Sequence, residues 1–246
     1  MLGQAIERDP HYGPALATAA YCHQMLAAND WVDDLETNNR KSIDLARQAL
    51  QFAPDDPEAL AFAGFTLGYF GEDINVGIAL IERSPALNPS SARGWWCSGV
   101  LRNYAGQPDL AIEHFNNSLR LSPRNRTSPG PSLGAAHFFC RRFGEAAALL
   151  LASLEQAPSF VMTYRLLAAC YAHMGRLDEA REIAKRLRVI TSVVVPKVIP
   201  FRNPEHQLPS GEYRRLGYCV GLTCGGARLA ARSSAMICCK HSMPCK

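Results

Sequence analysis

The residues in this 246-residue sequence best equipped for chemistry lie near its end, where Cys219, Cys224, Cys238, Cys239 and Cys245 accompany His241. Thiolates and an imidazole are zinc ligands. A tetrahedral zinc site, however, is usually announced by two close pairs such as a repeated C-x2-C. Here the spacing is C-x4-C, a Cys-Cys doublet and an isolated Cys. The preferred reading is an unstructured, oxidation-prone tail with no resident metal.

Elsewhere the candidates are thinner. Asp73-Ile74-Asn75-Val76-Gly77 opens like a calcium loop, but its glycine arrives one residue early and no glutamate follows at the needed distance. Gly71 and Asp73 read instead as the breaker and cap of a turn between two helices. His114, His137 and His173 fall in three different segments with no obvious Ser, Cys or Asp partner in register, so each reads as a structural histidine. Phosphate-cradling, nucleophile-elbow and zinc-helix motifs are absent. No catalytic residue, metal or cofactor is expected.

Composition narrows the classes further. The chain is 48% hydrophobic and 20% charged, ordinary for a folded protein. Its charge of +4 is unevenly placed: residues 207–246 carry +5 and the remainder −1, so the body presents no basic face for nucleic acid. No apolar run reaches the roughly 18 residues of a membrane helix. The charged start, Met1 to Asp9, is unlike a secretory signal, which predicts a cytoplasmic protein without a membrane partner. Cys22, Cys97, Cys140 and Cys170 stand singly on helical stretches and read as buried free thiols.

The elements that would position any site are written in a repeat. A proline follows a small residue by five positions at Ala5/Pro10, Ala49/Pro54, Ser84/Pro89, Ser118/Pro123 and Ser153/Pro158. These prolines are 44, 35, 34 and 35 residues apart, a period that marks stacked supersecondary units. Gly99, Ala111 and Pro123 are evenly spaced, as are Gly134, Ala146 and Pro158, and Ala168, Ala180 and Ser192 keep the register. An apolar position precedes each marker: Leu2, Ala46, Ile81, Phe115, Leu150 and Ala184.

Two antiparallel helices approach closely only where facing residues are small. Gly99 and Ala111 therefore let one hairpin close while Phe115 fills the space beside them. The proline ends the second helix. The predicted units cover 12–54, 57–89, 92–123, 127–158 and 161–192, preceded over 1–10 by a lone second helix. Two departures are expected: a longer loop around Asn29–Asn39, where some ten extra residues fall, and a kink at Pro85. An extended Pro/Val-rich segment, 193–206, would follow and cover the last apolar face over Val193–Phe201. The tail, 207–246, would be disordered.

Trp95, Gly99, Ala111, Phe115 and Pro123 resemble the tetratricopeptide pattern W-x2-L-G-x2-Y, A-x3-F, P, with Ser98 and Arg102 departing from it. A second unit resembles it through Tyr164, Leu167, Ala168, Tyr171, Gly175 and Ala180. The resemblance implies an all-α, right-handed superhelix of helical hairpins that holds another polypeptide in its concave groove. The first helix of each hairpin would line that groove. By register the partner-facing residues would be Arg93, Trp96, Val100, Asn103, Tyr104, Phe138, Phe139, Met162, Arg165, Ala169 and His173. For Phe138 and Phe139, packing between hairpins is an equal alternative. Relatives that clamp a C-terminal carboxylate use Lys and Asn where Trp96 and Val100 stand here, which argues against that mode.

Longer phrases, among them Ala86-Leu87-Asn88-Pro89, Ser91-Ala92-Arg93-Gly94-Trp95, Tyr104 through Phe115 and Phe201-Arg202-Asn203-Pro204-Glu205-His206, resemble the C-terminal repeat region of bacterial class III nucleotide cyclases. That implies a docking or regulatory region without cyclase activity of its own, since no mixed strand-and-helix catalytic pattern is present. The abrupt change after His206 suggests a shifted reading frame. The alternatives to a docking scaffold are a gene fragment without an independent role and a metal- or redox-responsive module built on the tail cysteines.

Overall fold

The computed structural model describes residues 2–28, 31–71, 73–123 and 129–191. The Val193–Phe201 segment, the 207–246 tail and its cysteines lie outside the described residues. Within them the chain forms helices only, eleven in number: α1 Leu2–Arg8, α2 Gly13–Ala28, α3 Leu35–Phe52, α4 Pro57–Phe70, α5 Ile74–Leu87, α6 Ala92–Tyr104, α7 Pro108–Leu121, α8 Pro129–Phe139, α9 Phe143–Gln156, α10 Val161–His173 and α11 Leu177–Ile190.

Each boundary has a local cause. Asp34, Asp56, Asp73 and Ser91 cap α3, α4, α5 and α6 by accepting from backbone N–H groups of the first turn. Pro57 and Pro108 occupy the first helical positions, where the missing N–H costs nothing. Gly106 and Gly175 turn the chain between the helices of the third and fifth hairpins at φ 80° and 75°. The corresponding position of the fourth hairpin is Arg141, a non-glycine residue held at φ 59°.

Helices pair in sequence order, α2 with α3 through α10 with α11, and each hairpin lies against the next. The register residues explain the closeness. Ala46, Ile81, Phe115, Leu150 and Ala184 are fully buried. A β-carbon on Gly64, Gly99 or Gly134 would come within 2.9 Å of Ile81, 2.7 Å of Phe115 or 2.8 Å of Leu150. The large side chain of one helix thus occupies the space a glycine leaves on its partner. On α11 the same logic gives a one-sided helix: Ile183, Ala184 and Leu187 are buried, while Arg181, Glu182, Lys185 and Arg188 face outward.

α5 continues through Pro85, where the kink is expected, to Leu87, and Asn88 N–H donates to Ser84 O at 2.9 Å. Pro85 sits in the last turn, so it forfeits only the bond its own N–H would make to the Ile81 carbonyl. Two expectations need correction. The longer connection of the first hairpin is present but ends before Asn39: six residues separate α2 from α3, against three between α4 and α5, and α3 already begins at Leu35. The other extra residues lengthen α2 and α3 to 16 and 18 residues, against 14 each in α4 and α5. Buried polar bonds fix that longer pair, with Ser42 Oγ donating to Ala20 O at 2.7 Å and Asn38 Nδ2 to His23 O at 2.9 Å. Of the four body thiols, Cys97 and Cys170 are buried, but Cys140 is only half-buried and Cys22 is exposed. Cys22 points off the buried face that Ala17, Ala20 and Gln24 give α2, and Cys140 lies just past the end of α8.

The core divides along the stack. One cluster runs from Leu16 on α2 to Phe115 on α7 and takes Leu133 and Ala136 from α8. A second begins with Ala135 and Phe138 on the same helix and extends to Leu187. Successive first helices touch least between α6 and α8.

Candidate groove across the first helices

Where α6 and α8 separate, a groove of ≈ 720 Å³ opens. Tyr21 and Met25 of α2, Glu58 of α4, and Arg93 and Trp96 of α6 form one wall. Ser118 and Ser122 at the end of α7, Pro131 and Ser132 of α8, and Phe160 before α10 form the other. The first helices supply these side chains because they run side by side, so residues one period apart become lateral neighbours.

The wall is an aromatic ladder carrying one cation. Tyr21 stacks on Phe62 with ring centroids 4.7 Å apart, and Trp96 meets Phe65 edge-on at 5.6 Å and Tyr21 at 6.3 Å. Arg93 lays its guanidinium 4.8 Å above the Phe62 ring, and its Nε lies 3.7 Å from Glu58 Oε1. Burial pushes the Tyr21 hydroxyl up to about 12, with the buried Cys97 thiol adding to the shift and Arg93 opposing it. Tyr21 therefore stays a neutral donor. Trp96 Nε1 is buried without a hydrogen-bond partner among the described residues. Such a groove can seat an extended or helical segment through apolar contact and a few directed hydrogen bonds.

The residues expected at the groove separate into groups. Arg93 and Trp96 line it. Tyr104, Phe139 and Met162 are half-buried and His173 is exposed. Tyr104 pairs with Tyr69 at 5.9 Å. Val100, Asn103, Phe138, Arg165 and Ala169 are buried, at 5, 2, 3, 7 and 4% exposure, and so do not offer surface to a partner. The reason is geometric: a first helix in a stack is flanked by its own second helix and by both helices of the preceding hairpin, so only a narrow strip stays open. Phe138 packs between hairpins, against Phe143 at 5.4 Å and His173 at 5.6 Å. The register of α6, α8 and α10 alone does not find Tyr21, Met25, Glu58, the serines or Phe160. Glu58 sits 35 residues before Arg93, one repeat interval, so carrying the register backwards reaches it.

Of the three histidines read as structural, His114 departs from the register expectation by meeting a serine. His114 Nδ1 lies 3.0 Å from Ser98 Oγ, His137 Nδ1 lies 3.3 Å from Glu145 Oε2, and His173 stacks on Phe143 at 4.5 Å. Ser98 is 2% exposed, and Glu82 and Arg102 lie around the same small pocket as Ser98 and His114, with Glu82 paired to Arg102. Asp73 accepts from Asn75 N at 2.9 Å as the cap of α5, the turn role rather than a calcium loop. Among the described residues no three metal-ligating side chains gather. None of the described helices is long and apolar enough to cross a membrane.

No family model matches the chain, and no curated protein does. Solved structures do. A mutant of MamA is 21% identical and superposes with a TM-score of 0.52 over 76% of this chain and 99% of its own. PilW, a type IV pilus biogenesis factor, is 19% identical, TM-score 0.58, over 78% and 86%. A chain of the APC/C hetero-tetramer Cut9–Hcn1 is 18% identical, TM-score 0.63, over 87% of this chain and 38% of its own. Identities this low speak to architecture alone, and together with the hairpin-on-hairpin packing they establish an all-α tetratricopeptide-type solenoid.

Proposed function

We propose that this chain is a non-catalytic scaffold that holds a polypeptide segment in the groove between α2, α4, α6 and α8. The observation that carries the reading is the Arg93–Phe62–Trp96–Tyr21 cluster, an aromatic wall with a partly exposed cation. Tryptophan, tyrosine and arginine are the side chains that most often anchor protein interfaces. The resemblance of its phrases to the repeat region of nucleotide cyclases adds a context, a docking or regulatory role beside a cyclase-type signalling domain in the bacterial cytoplasm. The near-neutral body argues against nucleic acid as the partner.

Selection from a random peptide display library tests this. Recovered peptides should bind the wild type and lose at least about tenfold in affinity with Trp96→Ala or Arg93→Ala, a loss of about 1.4 kcal/mol. Peptides indifferent to both substitutions would refute the groove as the site.

A further inference from the structure

We infer that a second copy of this chain docks its Trp31–Leu35 corner into the groove, so that copies join head to groove. The inference rests on the groove reading above and supplies an occupant for it.

The corner between α2 and α3 carries the most exposed tryptophan surface described. Trp31 is 66% exposed, Leu35 48% and Leu26 37%. Trp31 N–H donates to Leu26 O at 3.0 Å, which ties Trp31 back to the end of α2. Over 31–36 exposed apolar residues alternate with acidic ones, the composition of a contact site. Of those acids, Asp34 is occupied in capping α3 and Glu36 pairs with Arg40. Asp33, exposed two residues after Trp31, has no hydrogen bond or ion pair among the described residues.

The groove has the complementary set. Arg93 brings only its Nε near Glu58, at 3.7 Å, which leaves its terminal N–H groups to fork a second carboxylate. Tyr21, Met25, Trp96 and Phe160 offer a place for an indole. Trp31 does not line the groove of its own chain. Knob and groove are different surfaces, so the contact is heterologous and adds copies in a row rather than closing a two-fold dimer.

Sedimentation velocity over a concentration series tests it, using the full chain, with circular dichroism to show that every variant folds. The wild type should grow in average mass with concentration. Trp31→Ala and Arg93→Glu should each stay monomeric, and an equal mixture of the two should form one-to-one dimers, because one keeps the groove and the other keeps the knob. Asp33→Lys serves as a second knob variant should Trp31→Ala not fold. A wild type that is monomeric throughout, self-association that survives the knob or groove variants, or a mixture that stays monomeric would each overturn the inference. The groove reading is scored separately: Trp31→Ala should still bind the library-selected peptides, and it would do so even if self-docking were absent.

Discussion

Gly99 lies directly beneath the ring of Phe115: a β-carbon there would stand 2.7 Å from Cε1 and 2.8 Å from Cδ1. Phe115 is fully buried, so the ring has little room to give. Gly99→Ala should therefore destabilise the chain by about 1–3 kcal/mol, as overpacking does. Chemical denaturation measures it. The double variant Gly99→Ala/Phe115→Leu should recover part of that loss, since the clash is between these two side chains.

Arg141 stands where the third and fifth hairpins place Gly106 and Gly175, with φ 59° against 80° and 75°. A side chain in the left-handed region costs about 1–2 kcal/mol, while a glycine loses more freedom on folding by about 0.5–1 kcal/mol. Arg141→Gly should thus stabilise the fold by a few tenths of a kcal/mol to about 1 kcal/mol. Thermal unfolding would show a raised midpoint; a lowered one would mean that the Arg141 side chain contributes contacts outweighing the strain.

Burial holds His114 below the ordinary imidazole value, with Arg102 adding to the shift and Glu113 and Glu82 opposing it. A depressed histidine binds its proton more readily in the unfolded chain. Its stabilising contribution is complete above the ordinary value near 6.5 and is lost as pH falls through that value toward the folded one. Stability should fall as pH drops below about 7.5, and His114→Gln should flatten part of the slope. His137, also held low by burial, acts in the same direction and leaves a residual slope.

The thiols should separate by reactivity. Burial pushes Cys97 and Cys170 up to about 12, and Cys140 up to about 11 with the Asp109 carboxylate beside it. Cys22 is exposed. Brief alkylation followed by peptide mapping should label Cys22 and leave Cys97 and Cys170 unmodified until denaturant is added, because thiolate and access are both required.

The stack was legible in the sequence because its physics is pairwise and periodic: a glycine at 64, 99 or 134 needs a large residue facing it, and Ile81, Phe115 and Leu150 recur at that interval. The groove was only half legible. Arg93 and Trp96 could be placed by register, but Val100, Asn103 and Ala169 share helices with open positions and are covered by the preceding hairpin. First helices such as α4 and α10 are buried almost all round, so their sequence has no clear polar face to read. On the opposite wall Ser118 is one of the periodic small residues, but Ser122, Ser132 and Phe160 come from helix ends and a turn, where periodicity carries no information.

The most direct test of a polypeptide-holding groove is photocrosslinking of a library-selected peptide from two positions: Ser122, on the groove wall, and Glu182, on the outward face of α11. With a photoreactive residue installed at each in turn, crosslinks from position 122 and none from position 182 are the expected result. Crosslinks from 182, or silence at 122 while the peptide remains bound, would contradict the account.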